Sequence, residues 1–196
     1  MIKTLYQTIS FSVIMYVLLG IIYPYIIYFF GNILFPNESK GSIISINNIP
    51  VGSRLIGQGF LDPKYFWSRP SAAGEKGYDA INSNASNLAT TNKELIERMN
   101  KSIENFLKQN PTINREDIPP DLVTTSASGL DPEISFKSAK IQIPRIAKIR
   151  NLSEDSLNSL LIKMKQNPTF GFIGSERVNV LLLNLELDNE TKKIKN

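Results

Sequence analysis

Three sets of residues in this 196-residue chain have types and spacing that could do chemistry. Ser135-Phe-Lys137 and Ser138-Ala-Lys140 offer a hydroxyl beside an amine, the one nucleophile-and-base pair left to a chain that has neither histidine nor cysteine. Both lack the S-x-x-K spacing that sets the two groups on one helical face. Asp121, Asp131 and Glu133 are a second set, since paired carboxylates can share acid and base work. Gly52 and Gly57 are the third and have the glycine spacing of a phosphate-binding loop. Gln58-Gly59 stands where Lys-Ser/Thr would hold phosphate and magnesium, and Gly57-Gln-Gly59 before Asp62 does not complete a dinucleotide fingerprint either. Without imidazole or thiolate, zinc sites with nitrogen or sulfur ligands and His- or Cys-dependent catalysis are excluded. Beside these sets, Tyr65-Phe66-Trp67 next to Arg69-Pro70-Ser71 reads either as a local hydrophobic core with a surface cation or as a ligand pocket.

The elements that would position these residues follow from periodicity and punctuation. Residues 121–150 predict a Ser/Gly loop that launches a helix: Asp131 as N-cap, Pro132 at N1 and Glu133 at the positive end of the dipole. Ile134, Ala139 and Ile141 give an apolar side, until Pro144 interrupts the helix or starts a second one with Arg145, Lys148 and Arg150. Thr91-x-x-Glu94 reads as a capping box before Leu95, Met99, Ile103, Phe106 and Leu107 at helical spacing. Ser153 predicts the cap of a further helix with Leu157, Leu160, Leu161 and Met164 inward. Residues 43–46 and 53–56 predict short strands around a turn at 47–50, and 77–91 a polar loop. Residues 177–188 predict a covered strand, because apolar residues fill both alternating sets. Helices between terminal strands imply one α+β or α/β layered domain.

The chain is 42% hydrophobic and 20% charged with a formal charge of +4, and its acids and bases are interspersed. That balance gives no footprint for nucleic acid. Lys3 is followed by no charge until Glu38, and the apolar run at 11–30 has the length of a membrane span rather than of a signal-peptide core. The predicted organisation is therefore a short cytoplasmic N-terminus (1–10), a transmembrane helix (11–30), a linker (31–42) and one extracytoplasmic α+β domain (43–196). Lys3 and the terminal amine outweigh the near-cancelling Glu38 and Lys40, which favours a cytoplasmic N-terminus in a single-pass protein of the cell membrane.

Gly52-Ser-x-Leu-Ile-Gly-Gln58, Tyr65-Phe66 with Arg69-Pro-Ser-Ala72, Ser86-Asn-Leu88 with Thr91-Asn92, Asp121-Leu-Val-Thr-x-Ser-Ala-Ser-Gly-Leu-Asp-Pro132 with Ile134-Ser135, Gln142 with Arg145, and Arg177-Val-Asn-Val-Leu-x-Leu-Asn184 recur along almost the whole chain. Together they resemble the KdpC family, the C subunit of the bacterial potassium-transporting P-type ATPase complex. Ser68, Ala85, Ala89 and Thr90 depart from the family's Gly, Gly, Gly and Pro. The resemblance implies a subunit that is not itself an enzyme and binds no cofactor tightly. Its partners would be a channel-like potassium-translocating subunit, an ATP-hydrolysing subunit and membrane lipid. ATP and potassium would be handled by the complex, in which the family is described as a catalytic chaperone that raises the ATP affinity of the hydrolysing subunit. A membrane-anchored extracytoplasmic enzyme and a solute-binding or adhesion module are the alternatives.

Because the resemblance is densest there, Ser126, Ser128 and Asp131 with Gln142 and Arg145 are the expected partner-docking surface. Gln58, Tyr65, Phe66, Arg69, Ser71 and Asn87 are the second choice. On this reading Asp131→Ala removes an N-cap at a cost of about 1 kcal/mol. Gln142 and Arg145, as surface groups, could be replaced with little effect on the fold.

Overall fold

The computed structural model describes residues 1–195 and separates into two compact units, one ending at Val51 and one beginning at Gly52. The boundary falls nine residues later than the 42/43 junction expected from the sequence, within the second strand of the first hairpin.

In the first unit, α1 (Ile2–Val17) and α2 (Tyr23–Leu34) are joined without a break through a wide turn at Leu18–Ile22. Pro24 explains the widening. Its ring would collide with the carbonyl four residues back and it has no N–H to give, and the N–H of Tyr23 reaches the Leu18 carbonyl five residues back. The helix from Ile2 to Leu34 is 33 residues long, with mean hydropathy of 2.2 in its most apolar window. At about 1.5 Å per residue it is about 50 Å long, enough to cross a hydrocarbon core of about 30 Å. It extends past both ends of the predicted 11–30 span. The strands β1 (Ile43–Ile46) and β2 (Ile49–Ser53) then pair around Asn47-Asn48, both of which have positive φ. Asparagine tolerates that conformation, and two such residues form the hairpin turn that matches strand twist. The second strand thus begins at Ile49 and takes in Pro50, rather than starting at residue 53.

In the second unit, α3 (Lys93–Gln109) has the expected apolar stripe, but its cap is Asn92, whose side chain accepts from the Glu94 N–H at 2.8 Å. Three residues of strand, β3 (Glu133–Ser135), replace the helix start expected at Asp131. The physical reason lies in burial and pairing: Ile134 is buried opposite Val178, and the Glu133 carboxylate meets Arg177 at 2.7 Å. Ser135 therefore caps α4 (Phe136–Lys140), and Pro144 stands in the first turn of a separate α5 (Ile143–Arg150). Ser153 caps α6 (Glu154–Met164) as predicted.

The largest departure is the C-terminal segment. Only β4 (Arg177–Asn179) is strand, antiparallel to β3 with Ile134 opposite Val178, and α7 (Val180–Lys195) follows at once. The Asn179 side chain accepts from the Leu182 N–H at 3.1 Å and so caps α7, while the Val180 N–H is held by the Pro132 carbonyl. Val180, Leu183, Asn184 and Leu187 form the buried helical face. The main core gathers α4 to α7 and the short ladder around Phe66, Ile134, Ile146, Leu161, Val178 and Leu183. A second cluster forms around Phe106, Leu122 and Val123, with Trp67, Met99 and Ile103 against it. The domain is mixed helix and sheet, with helix dominant.

Candidate docking loop and the polar seam beneath it

The loop 124–131 lies between two other loops and is bonded to both. Gly129 has φ +67, and a Cβ there would stand 2.4 Å from the Asn84 carbonyl oxygen and 2.9 Å from the Ala73 nitrogen, so only glycine admits this approach. Ser71 Oγ donates to the Gly129 carbonyl at 2.6 Å and accepts from the Ala73 and Tyr78 N–H groups. The Ser128 carbonyl accepts from the Asn84 N–H and from Ser83 Oγ. The Arg69 guanidinium meets Asp131 at 2.8 Å and also reaches the Thr125 carbonyl. Asp131 is thus an ion-pair partner whose other oxygen accepts from the Glu133 N–H in a local turn, not a helix cap. Gly57 closes the lower side: its N–H donates to the Leu130 carbonyl at 2.7 Å, and a Cβ on it would stand 2.5 Å from the Asp131 carbonyl oxygen. The Gln58 side chain covers Gly52.

Gln142 and Arg145 do not stand on that surface. Gln142 is 0% exposed and Arg145 6%, and both turn inward onto the irregular segment 62–69. An aperiodic segment that crosses a core leaves its backbone groups without a ladder, and each needs a partner. Two side-chain amides supply them. Asn184 of α7 accepts from the Phe66 N–H at 2.8 Å and donates to the Phe66 carbonyl at 2.9 Å. Gln142, at the start of α5, accepts from the Trp67 N–H at 2.8 Å and donates to the Trp67 and Ser138 carbonyls. Arg145 then donates to the carbonyls of Pro63 and Tyr65, to Asn110 Oδ1 at 3.1 Å and to Gln142 Oε1 at 2.7 Å. Its guanidinium also lies over the Trp67 ring at 4.4 Å. Burial draws its pKa down to about 10, so it remains a cation at neutral pH, held by carbonyl dipoles and a ring face.

The second-choice residues divide in the same way. Phe66 is core, which removes it from any surface. Tyr65 donates to Asp188 at 2.9 Å, and Arg150 stacks on its ring while pairing with Asp188. Arg69, Ser71 and Gln58 belong to the loop junction just described, and Asn87 is exposed with φ +50. Ser126 is buried, so only Ala127 and Ser128 of the loop tip face outward.

The three carboxylates share one open cavity of about 380 Å³ but do not act on one another. Asp121 accepts from Ser135 N–H, Ser135 Oγ and Ser138 Oγ, Asp131 pairs with Arg69, and Glu133 pairs with Arg177. Their geometry holds the start of α4 and the β3–β4 ladder in place. Asn110, Asn179 and Asn184 escaped the sequence reading as working residues. For Asn184 the signal was a lone amide in a leucine-rich run, which is costly to bury without partners.

Residues 5–189 match the family described as K+-transporting ATPase, c chain. The chain belongs to the KdpC family. The potassium-transporting ATPase KdpC subunit of Caldanaerobacter subterraneus subsp. tengcongensis is 47% identical over 189 residues, covering 96% of each chain. That of Clostridioides difficile is 41% identical over 200 residues, with 94% of this chain and 96% of the relative covered. That of Koribacter versatilis is 44% identical over 186 residues, covering 95% and 94%. In this member of the KdpC family, Gly57, Arg69, Ser71, Asp131, Gln142, Arg145, Asn179 and Asn184 all carried the resemblance; the first four tie loop to loop, and the last four tie irregular backbone to helices inside the domain. The density of the KdpC signature near Gln142 and Arg145 thus coincides with an internal seam.

Proposed function

We propose that the chain is the accessory C-type subunit of a potassium-transporting ATPase, single-pass in the cell membrane, with its N-terminus cytoplasmic and its second unit outside. The observation that carries this reading is the match of residues 5–189 to a family whose curated relatives bear that description and have almost the same length. The 33-residue apolar helix supports the anchor, and Lys3, against the near-neutral Glu38 and Lys40, supports its direction. The partners are a channel-like potassium-translocating subunit and an ATP-hydrolysing subunit, and the exposed loop tip at Ala127 and Ser128 is the docking surface.

Any effect on ATP is transmitted through the complex to the hydrolysing subunit. In support, the Gly57 N–H, which a phosphate loop would present to its ligand, is engaged by the Leu130 carbonyl. The test is co-expression with the neighbouring pump subunits and purification through a tag on this chain in mild detergent. Both larger subunits should come with it, and cells lacking the chain should fail to grow at limiting potassium. A chain that purifies alone, with growth unaffected by its loss, would overturn the proposal.

A further inference from the structure

Between α6 and β4 the chain makes a narrow finger that the docking and assembly reading does not use. Its stem closes where Gln166 and Arg177 exchange backbone hydrogen bonds at 2.8 and 3.1 Å. Its tip closes where Thr169 and Ile173 do the same at 2.9 and 3.0 Å. At that tip Phe170 is 84% exposed, Phe172 78% and Ile173 53%. Three large apolar side chains on one short turn is more than scattered surface hydrophobicity, and such tips mark contact with an apolar phase or partner. Residues 166–175 contain no charge.

We propose that this finger inserts Phe170, Phe172 and Ile173 into the interfacial layer of the bilayer in which the chain is anchored. The proposal rests on the reading of the N-terminal helix as a membrane anchor. Three observations favour lipid over a protein groove. First, most of the tip's N–H groups are engaged internally: those of Thr169, Gly171, Phe172 and Ile173 donate to carbonyls within the finger. A segment entering a water-poor layer needs that closure, whereas strand addition to a protein needs free edge donors. Second, the flanking cations are neutralised, Lys165 by Glu176 and Arg177 by Glu133. The stem therefore has no excess charge for an acidic or basic partner, and insertion driven by aromatic and aliphatic area should not depend on anionic lipid. Third, residues 35–51 are all that join the apolar helix to the second unit, on the order of 60 Å even if fully extended. That tether holds the finger at high effective concentration near a membrane surface, where shallow and individually weak insertion persists.

The chain has no cysteine, so a single introduced thiol carries a nitroxide without background. Full-length F172C, I81C and I14C are each labelled and reconstituted into phosphatidylcholine vesicles, and collision with oxygen is compared with collision with a water-soluble nickel chelate. Ile81 is an exposed apolar residue elsewhere in the second unit, and Ile14 lies in the anchor helix. The expected result is an oxygen preference at F172C several-fold above that at I81C and below that at I14C, unchanged when phosphatidylglycerol is added. S175C, which leaves both phenylalanines intact, should report a shallower version of the same signal, and F170S/F172S in that background should abolish it. A deep I14C with F172C and S175C as aqueous as I81C overturns the inference and leaves the anchor standing. Aqueous signals at I14C as well remove both. Shielding that arises only with the pump subunits present, or that fades as the protein is diluted in lipid, assigns the finger to a protein partner or to a second copy and also overturns the inference.

Discussion

Gln142→Ala separates an internal seam from a docking surface. The substitution removes the acceptor for the Trp67 N–H and for Arg145 Nη2, and the donor to the Trp67 and Ser138 carbonyls, at a site with no exposure. Each buried backbone group left without a partner costs about 1–3 kcal/mol. The bond to the Trp67 carbonyl, at 3.3 Å, is the longest of those lost, so the Trp67 N–H and the Ser138 carbonyl dominate, and the total is about 2–5 kcal/mol. For a unit of this size that corresponds to a fall in melting temperature on the order of 5–15 °C. Trp67 is the only tryptophan in the chain and sits at the lesion, its ring 6.2 Å from Phe106 edge to face and under the Arg145 guanidinium. Its emission in detergent-solubilised full-length protein therefore reads the seam directly, and the variant should unfold earlier with a red-shifted native spectrum. An unchanged melting curve combined with loss of the pump complex would refute this reasoning and return Gln142 to the partner surface.

Further outcomes follow from the same structure. Ala127→Arg, at the exposed loop tip, should leave the melting temperature within about 1–2 °C of wild type yet reduce co-purification of the other pump subunits; intact assembly would place the docking surface elsewhere. Protease added to intact spheroplasts should cut after residue 42, and protection until lysis would reverse the proposed orientation. Isothermal titration of the purified chain with ATP should give no stoichiometric micromolar site; such a site would defeat the transmitted-effect reading. Burial raises the Tyr78 phenol from 10.0 to about 12, where its hydroxyl donates to the Arg69 carbonyl. Because the fold holds the neutral form, that contribution is complete below pH 10 and is lost as pH rises towards about 12. Denaturant unfolding across this window should show falling stability in wild type and a flatter profile in Tyr78→Phe.

The parts of this protein legible from sequence are those set by short-range chemistry. The apolar helix follows from a run of residues with no charge between Lys3 and Glu38, and α3 and α6 follow from stripes at helical spacing with polar caps beside them. Family membership was legible for a related reason, since it rests on many local motifs at once. Tertiary structure decided what happens where local signals are degenerate or where the partner is distant. The leucine-rich run after Arg177 is compatible with periods of both 2 and 3.6, and the cap from Asn179 together with the Pro132 carbonyl on Val180 resolved it as helix. Asp131 had the sequence of an N-cap, but Arg69, 62 positions away, took one carboxylate oxygen, and the pairing of Ile134 with Val178 made the next residues strand. Gln142 and Arg145 are polar and follow a loop, which reads as surface; they are buried because the backbone of residues 63–67, more than 70 positions away, crosses the core without a ladder and must find hydrogen-bond partners in side chains.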